Sequence, residues 1–336
     1  MSIETKTLGK TGLSLSILGF GGTGVGNIYQ AVSESDAIDT VDRAYSVGLR
    51  YFDTAPLYGH GLSELRVGSG LRRFQDSSIV VSTKVGWRLR AAYGGATGAG
   101  IYADIQSFSR ALDYSYDGVM QSLEDSMQRL GTDLVDILYL HDCDRHNQGA
   151  DYPARFSEAM NGAYRAMVEL RSQGVVKAIG CGLNEWQACQ EFAEAGDFDC
   201  FLLAGRYTLL EQEALDSFLP LCEERNIGVV VGGPYNSGIL ANGTAKRAMF
   251  NYEPASDAII RRVAAIEAVC RRHQVPIKAA ALQFPLLHPC VASVIPGSRS
   301  TREIEENLSM VRTRIPADLW AVLKDEGLLD SRAPTG

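Results

Sequence analysis

The sequence has no long apolar run and no excess of positive charge. No segment approaches the roughly 18 consecutive apolar residues that a membrane-spanning helix needs, and the first residues, MSIETKTLGKTGLSLS, lack the apolar centre of a secretory signal. The 336 residues carry a formal net charge of −8, which gives no electrostatic basis for binding nucleic acid or an anionic membrane. We therefore expect a cytoplasmic protein that acts on a small molecule.

The cysteines do not follow any pairing or metal-binding pattern. Seven of them are scattered over positions 143, 181, 189, 200, 222, 270 and 290, and no two form a Cys-x-x-Cys motif. An odd, irregular set of this kind is typical of reduced thiols in a cytosolic protein.

Short apolar segments alternate eight times with longer segments of helical periodicity. The strand-like segments are 15–20, 49–54, 78–84, 134–141, 175–182, 199–205, 227–233 and 291–297. The helical segments are 33–48, 61–73, 116–131, 158–174, 185–195, 212–225, 257–273 and 300–312. Eight strands buried on both faces predict an α/β fold, a (β/α)8 TIM barrel that occupies residues 1–336 as a single domain.

Three segments lie outside this repeat. Two short runs around Gly9-Lys10-Thr11-Gly12 predict an N-terminal β-hairpin that could close the bottom of the barrel. The segments 85–115 and 234–256 are predicted to be long loops after strand ends, at the face where barrel active sites lie.

The stretch LGFGGTGVGNIY, residues 18–29, contains the Gly-x-Gly-x-x-Gly spacing of a dinucleotide-binding Rossmann turn. Such a turn leads directly into a helix, with an acidic residue about 20 positions later at the end of the second strand. Here the first helix N-cap is Ser33, and the residue at the expected distance, Asp39, falls inside the helical pattern. We interpret these glycines as a first βα loop that lets the backbone approach a ligand.

Four polar residues lie at or just after the ends of three successive predicted strands. Asp53 and Tyr58 follow the second strand, Lys84 ends the third and His141 ends the fourth. Because the carboxyl ends of barrel strands meet at one mouth, these side chains can converge there. A lysine in so apolar a segment is costly unless it is paired, and Asp53 is its expected partner.

This set of side chains suits hydride transfer, in which a proton moves at oxygen while hydride moves at carbon. We expect the Lys84 ammonium to lower the pKa of the Tyr58 phenol from its reference value of about 10. A phenol of this kind serves as a general acid or base, and His141 can donate to the same substrate oxygen. A lone lysine at a strand end is more often a solvated charge and a lone tyrosine is usually a packed ring, so it is the combination of the four residues that favours catalysis.

The motifs GFGG, FDTAPLYGHGLSE, VSTKVG, YDGVMQSLEDSMQRLGTDLVDILYLHD and VIPGSRSTREIEENL resemble those of the aldo-keto reductase superfamily, in family order and over nearly the whole chain. The resemblance implies an eight-stranded barrel that binds a nicotinamide cofactor in extended form. It implies that Asp53, Tyr58, Lys84 and His141 form the catalytic tetrad. It also implies that the first-loop glycines, Gly22 among them, lie beside the substrate and cofactor.

Within the superfamily, FGGTGVGNIY, DTAPLYGHGLSE, LAGRYTLL, PYNSGIL and AAALQFPLLHPCVASVIPG are most similar to the bacterial aldose 1-dehydrogenase branch. That branch includes L-fucose (D-threo-aldose), galactose-type and pyridoxal 4-dehydrogenases, which oxidise a cyclic hemiacetal to a lactone. The resemblance implies Tyr58 as general base on the hemiacetal hydroxyl. Trp87 and Tyr29 are candidate walls of the substrate pocket, although loop packing explains them equally well.

The motif of the last strand differs from that of NADPH-using relatives, I-P-K-S-x-x-P-x-R-x-x-E-N, whose Lys and Arg hold the 2′-phosphate. Gly297 stands at the Lys position and Glu303 at the Arg position. A carboxylate there repels a phosphate and can accept from a ribose 2′-hydroxyl, so we predict NAD as the cofactor. Arg299 and Arg302 oppose this prediction, because either side chain could reach a phosphate.

The same resemblance implies further cofactor contacts. They are Ser298, Glu306 and Asn307 at the adenosine end, Asn184 at the carboxamide, and Pro234, Asn236, Ser237 and Gly238 around the pyrophosphate. Two family positions are replaced, the strand-6 glutamine by Ala204 and the strand-7 aromatic residue by Gly232.

Three alternatives remain open at this stage. The segment HDCDRH, 141–146, groups potential metal ligands, but it meets no standard zinc spacing, and we predict no metal. The barrel could be an NADPH-dependent reductase of aldehydes or ketones, or a cofactor-binding regulatory subunit without activity. No sequence feature predicts an oligomeric state.

Overall fold

The computed structural model describes residues 3–95, 100–133, 135–243 and 248–335. The first element along the chain is an antiparallel hairpin. Strand β1 (Thr5–Thr7) pairs with β2 (Ser14–Ser16). The Lys10 amide donates to the Asn226 carbonyl at 3.0 Å, and three hairpin leucines pack into the interior of the barrel, Leu8, Leu13 and Leu15. The predicted hairpin is confirmed, and it closes the amino-terminal end of the barrel.

Eight parallel strands form the barrel. They are β3 (Phe20–Gly21), β4 (Tyr51–Asp53), β5 (Val80–Val85), β8 (Ile137–His141), β9 (Ala178–Leu183), β10 (Cys200–Ala204), β11 (Gly228–Gly232) and β14 (Val291–Ile295). Each pairs with the next in chain order. Parallel bridges from Leu18 to Val294 and from Gly21 to Gly297 join the first strand to the last. The predicted (β/α)8 barrel is confirmed.

The predicted first strand, 15–20, is wrong in extent. Its first residues belong to the hairpin, and the barrel strand is the two-residue segment Phe20–Gly21. Between them the Ser16 hydroxyl donates to the Leu18 carbonyl at 2.8 Å. Both runs are buried, so apolar composition could not show where one ends and the other begins.

Helices cover the outside of the barrel. The predicted set corresponds to α1 (Glu34–Ser46), α2 (Leu62–Leu71), α3 (Tyr116–Leu130), α6 (Tyr164–Ser172), α7 (Trp186–Ala195), α8 (Phe218–Glu224), α10 (Asp257–Arg272) and α12 (Thr301–Arg312). In four of them the hydroxyl of a serine N-cap accepts from an otherwise unpaired amide of the first turn. Among the described residues, no helix is long and apolar enough to span a membrane.

The two segments predicted as long loops contain regular structure. In the first, β6 (Trp87–Ala91) pairs antiparallel with β7 (Phe108–Leu112). The second contains α9 (Ile239–Asn242) and the pair β12 (Met249–Phe250) and β13 (Glu253–Pro254). Their sequences lack the clear period-two patterning that predicts strands, so sequence patterning indicates only loops there. Residues 96–99 and 244–247 lie outside the described parts of these segments.

Four further helices have no counterpart in the sequence prediction: α4 (Arg145–Gln148), α5 (Tyr152–Glu158), α11 (Ile277–Gln283) and α13 (Ala317–Asp325). Helix α5 continues through a π turn at Ala159–Ala163 into α6. The predicted helix 158–174 is therefore the second half of a longer one.

Candidate active site

The barrel brings Asp53, Tyr58, Lys84 and His141, here called the tetrad, to one mouth. Asp53 ends β4, Lys84 lies near the end of β5 and His141 ends β8. These strands are neighbours in the sheet, so their carboxyl ends place the side chains together. The prediction that the four residues converge agrees with the geometry.

Asp53 and Lys84 form a buried ion pair, with exposed side-chain fractions of 2% and 1%. The Lys84 Nζ donates to both carboxylate oxygens, at 2.9 and 2.7 Å, and to the Thr54 carbonyl at 2.8 Å. The Ser82 hydroxyl donates to Asp53 Oδ1 at 2.7 Å. Burial lowers the pKa of Lys84, and the adjacent carboxylate opposes that shift. With three acceptors around it, the ammonium is fixed in position.

The Tyr58 ring lies against this pair. The Lys84 Nζ is 4.6 Å from the ring centroid, and the His141 ring meets the phenol edge-on with centroids 5.8 Å apart. Burial raises the pKa of the Tyr58 phenol well above its usual value, and the Asp53 charge raises it further. The expected lowering by Lys84 is therefore wrong for this structure, because desolvation is the larger effect and Asp53 offsets the ammonium.

His141 is a neutral imidazole at ordinary pH. Burial lowers its pKa well below the usual value, and the Lys84 charge acts in the same direction. Its Nδ1 is buried and has no hydrogen-bond partner among the described residues, while Nε2 lies 3.4 Å from Asp142 Oδ1. A neutral imidazole beside a phenol is suited to hold a substrate oxygen by a hydrogen bond.

Asp142 is a site residue that sequence reasoning considered only as a possible metal ligand. It is 8% exposed, and its Oδ2 accepts from Trp87 Nε1 at 2.9 Å. Its backbone has a φ of +56°, a left-handed conformation that aspartate tolerates better than most residues. Burial raises the pKa of Asp142 to about 7. The candidate pocket residue Trp87 thus holds a carboxyl group directly beside His141.

Aromatic residues from three loops lie around the mouth. The Tyr58 and Tyr102 ring centroids are 6.3 Å apart. The candidate pocket residue Tyr29 is 50% exposed, and its amide donates to the Ile101 carbonyl at 2.7 Å. Tyr252, between β12 and β13, interacts with Asp142 and with the Asn184 side chain. Sequence reasoning missed Tyr102 and Tyr252, because only the folded loops bring them to the barrel mouth.

The first-loop glycines lie where a side chain would not fit. A Cβ at Gly24 would be 2.3 Å from the Ser298 carbonyl oxygen, and one at Gly22 would be 2.7 Å from that of Asp53. The Gly26 backbone packs in the same way against Tyr58. The glycines therefore allow the first loop to pack closely between the tetrad and the last strand, consistent with a βα loop and not with a Rossmann turn.

The residues predicted for the adenosine end form one cluster at the start of α12. Asn307 accepts from the Tyr235 hydroxyl at 2.7 Å and donates to the Ser298 hydroxyl at 3.3 Å. A Cβ at Gly297 would be 2.7 Å from Thr23 Oγ1. The predicted contact Glu306 forms an ion pair with Lys278 at 3.0 Å.

Glu303 is engaged with the neighbouring Arg299. Its Oε2 accepts from the Arg299 amide at 2.7 Å, and its Oε1 lies 3.6 Å from the guanidinium. Its own amide donates to the N-cap Ser300 hydroxyl at 3.2 Å, an arrangement related to the capping box. The carboxylate expected to contact ribose thus also holds the Arg299 amide just before α12 and offsets the Arg299 charge.

The remaining predicted cofactor residues differ in whether their side chains are already bonded to other parts of the protein. Asn184 carries Oδ1 3.3 Å from Asn147 Nδ2, and its carbonyl accepts from Arg206 at 2.7 Å. The Asn236 amide donates to the Gly205 carbonyl at 3.0 Å, so its Nδ2 holds the loop in place. Ser237 and Gly238 have positive φ values of 58° and 98°, and Pro234 is buried.

The segment HDCDRH does not come together as a cluster of metal ligands. Asp144 accepts from the amides of Asn147 and Asn184, Cys143 is buried and His146 is exposed. Within the described parts of the chain, no three histidine, cysteine or acidic side chains converge on a common point.

These features fit a nicotinamide cofactor. The buried, unpartnered Nδ1 of His141 and Oδ1 of Asn236 are polar atoms available to a ligand. The 12-residue helix α12 presents its N-terminus and Arg299 beside Ser298 and Asn307, a combination that suits phosphate and ribose groups.

A (β/α)8 barrel with Asp53, Tyr58, Lys84 and His141 at its mouth is the architecture of one class of oxidoreductase, the aldo/keto reductases. The aldo/keto reductase family model matches residues 17–325. The chain belongs to this family, whose members use nicotinamide cofactors.

Comparison with individual proteins supports the same assignment. The chain is 39% identical to pyridoxal 4-dehydrogenase of Microbacterium luteolum, over 97% of this chain and 98% of that protein. It is 37% identical to D-threo-aldose 1-dehydrogenase of a Pseudomonas species, over 98% and 99%. An aldo-keto reductase structure from Bacillus halodurans superposes with a TM-score of 0.75 at 23% identity, over 98% of each chain, and shows the fold alone.

Proposed function

We propose that this protein is an NAD-dependent dehydrogenase that oxidises a cyclic hemiacetal to a lactone. The hemiacetal is that of an aldose such as L-fucose or another D-threo-aldose, or of pyridoxal. The observation that carries the proposal is the Tyr58 phenol between the Asp53–Lys84 pair and the neutral imidazole of His141. The similarity to a pyridoxal and an aldose dehydrogenase supports this substrate class.

In the proposed reaction, Tyr58 removes the proton from the hemiacetal hydroxyl. His141, neutral because of its burial, donates a hydrogen bond to the same oxygen. Lys84 stays charged against Asp53 and fixes the position of the phenol. A nicotinamide cofactor, held by the proposed contacts Asn184, Ser298 and Asn307, would supply the acceptor for the hydride.

The raised pKa of Tyr58 affects the direction of the reaction. A phenol of high pKa is a better proton donor than acceptor at neutral pH. This favours a second candidate, reduction of an aldehyde or ketone with the same residues. The balance between the two directions is measured by comparing forward and reverse kcat/KM as pH increases.

The preference for NAD rests on Gly297 and Glu303. No lysine stands at position 297, and the Glu303 carboxylate partly neutralises Arg299. Both features weaken binding of a 2′-phosphate relative to a ribose hydroxyl. The proposed contacts of the adenosine end are Ser298, Arg299, Glu303, Glu306 and Asn307.

A substrate panel tests the proposal. L-Fucose, D-arabinose, D-galactose and pyridoxal are incubated with NAD and with NADP, and formation of reduced cofactor and lactone is followed. We expect turnover with NAD, abolished in Tyr58→Phe and retained in Tyr116→Phe, whose hydroxyl contacts Glu169 on the outer surface. Oxidation by Tyr58→Phe at the wild-type rate would contradict the mechanism. We propose a cytoplasmic location, which the seven free thiols support.

A further inference from the structure

The residue after His141 has no role in the proton transfer described above. Asp142 is buried, adjacent to the imidazole and within electrostatic range of the Tyr58 phenol. Burying a carboxylate is costly unless it is paired or hydrogen-bonded. Among the described residues, Trp87 Nε1 donates to Asp142 Oδ2 at 2.9 Å, and Oδ1 lies 3.4 Å from His141 Nε2.

We propose that Asp142 Oδ1 accepts a hydrogen bond from the substrate hydroxyl on the carbon next to the reacting one. The proposal rests on the function proposed above and specifies its substrate class as polyhydroxylated aldoses. Oδ1 and His141 Nε2 are 3.4 Å apart. Two groups at this spacing can contact the two oxygens of a vicinal diol, with the imidazole on the reacting oxygen and the carboxylate on its neighbour.

Backbone hydrogen bonds and Trp87 fix the orientation of the Asp142 side chain beside His141. Its amide donates to the Gly182 carbonyl at 3.2 Å, and its carbonyl accepts from Gln148 Nε2 at 2.8 Å. With a φ of +56°, the chain turns sharply directly after β8. The Trp87 indole then holds Oδ2 at 2.9 Å, so the carboxyl group has little freedom to rotate and Oδ1 stays beside His141 Nε2, 3.4 Å away.

The surrounding charges favour a neutral hydroxyl over a cationic substrate group. Lys84 and Arg110 both act on Asp142, and the Arg110 guanidinium lies 5.0 Å from the Trp87 ring centroid. Asp144 acts in the opposite direction but is occupied by the amides of Asn147 and Asn184. Asp53 balances Lys84 and Arg110 balances the Asp142 carboxylate. A protonated ring nitrogen would therefore add an uncompensated positive charge, whereas a sugar hydroxyl adds none.

The test compares two sugars that differ only in the hydroxyl at C2. D-Arabinose has it, and 2-deoxy-D-ribose lacks it. In the wild-type protein with NAD at about pH 8, above the Asp142 pKa of about 7, we expect kcat/KM for arabinose to exceed that for the deoxy sugar by about tenfold or more, because only arabinose can donate to the ionised carboxylate.

Asp142→Asn is the informative variant, because asparagine has the same shape and tolerates a positive φ. We expect it to lower kcat/KM for arabinose by at least tenfold while changing that for the deoxy sugar less than threefold. Trp87→Phe, which keeps the carboxylate but releases Oδ2, should raise KM for arabinose more than it lowers kcat. Asp151→Asn, at an exposed aspartate on the same connection, controls for a general loss of charge.

The outcomes separate the two proposals. The role of Asp142 is overturned if Asp142→Asn lowers kcat/KM equally for both sugars, so that the ratio between them is unchanged. It is also overturned if the variant lowers kcat/KM only for pyridoxal. Either result leaves the dehydrogenase function standing. Absence of turnover with every sugar and with pyridoxal overturns both. Loss of discrimination in Asp142→Asn and Trp87→Phe, but not in Asp151→Asn, supports the assignment.

Discussion

Replacement of Lys84 by methionine tests whether the Asp53–Lys84 pair stabilises the protein as well as positions Tyr58. Methionine keeps much of the apolar stem of lysine but removes the ammonium. Asp53, 2% exposed, would then lose two hydrogen bonds of 2.7 and 2.9 Å and keep the Ser82 hydroxyl. Leaving one partner of a buried pair uncompensated costs about 3–5 kcal/mol, so we expect a marked fall in the free energy of unfolding.

The double variant Lys84→Met with Asp53→Asn separates charge from packing. It buries no net charge, and neutral replacements of a buried pair often cost little. We therefore expect it to be more stable than Lys84→Met alone, by about 2 kcal/mol or more. Urea unfolding followed by circular dichroism measures both, together with the two single variants, as a double-mutant cycle.

A matched control lies at the opposite end of the barrel. Lys10, in the hairpin, pairs with Asp197 at 2.5 Å, and both side chains are exposed, at 40% and 64%. Because a surface pair of this kind contributes little, Lys10→Met should cost about 1 kcal/mol or less. Both Lys84 variants should lose at least about 100-fold in kcat/KM. A double variant as unstable as Lys84→Met, or a Lys84→Met protein as stable as wild type, would refute this account of the pair.

Three further predictions concern pH and cofactor choice. Because the pKa of Tyr58 is raised, the ionised phenol becomes about tenfold more abundant per pH unit below that pKa, so kcat/KM for oxidation should rise steeply between pH 7 and 9; a flat profile would contradict Tyr58 as base. Glu303→Gln removes the charge beside Arg299 and should raise the NADP to NAD ratio of kcat/KM by roughly tenfold, which Glu305→Gln should not do. The pKa of Asp142 is raised to about 7 in the folded protein, so between about pH 4 and pH 7 the folded protein holds a proton that the unfolded chain has lost. The contribution of this group to the free energy of unfolding is therefore complete below about pH 4 and is lost as the pH rises towards 7. Asp142→Asn should flatten this pH dependence of unfolding, and an identical curve would show that Asp142 does not titrate there.

The sequence was informative wherever a pattern is local. Ser33 marked a helix start because its hydroxyl caps the amide three residues later, at 3.1 Å. The tetrad could be found because each member lies at or just beyond the end of a strand, and a barrel brings those ends together. The wrong first strand and the two segments predicted as loops are places where apolar composition alone does not distinguish a barrel strand from a hairpin.

The electrostatics of the site could not be obtained from the sequence. The pairing of Lys84 with Asp53 was predictable, but the sign of the shift in the Tyr58 pKa depends on desolvation, which only packing determines. Likewise, Asp142 lies in a cluster that could equally be a metal site until its neighbours are seen to point in different directions.

The amino-acid sequence by itself determined the eight-fold alternation, the polar residues at strand ends and the glycines of the first loop, because these depend on local periodicity and on residue type. The tertiary structure decided which polar groups meet, how deeply they are buried and which charges face one another. Hydrogen bonds and ion pairs such as Trp87 with Asp142 and Arg299 with Glu303 follow from side-chain direction, and that direction is set only when the strands, helices and hairpins pack together.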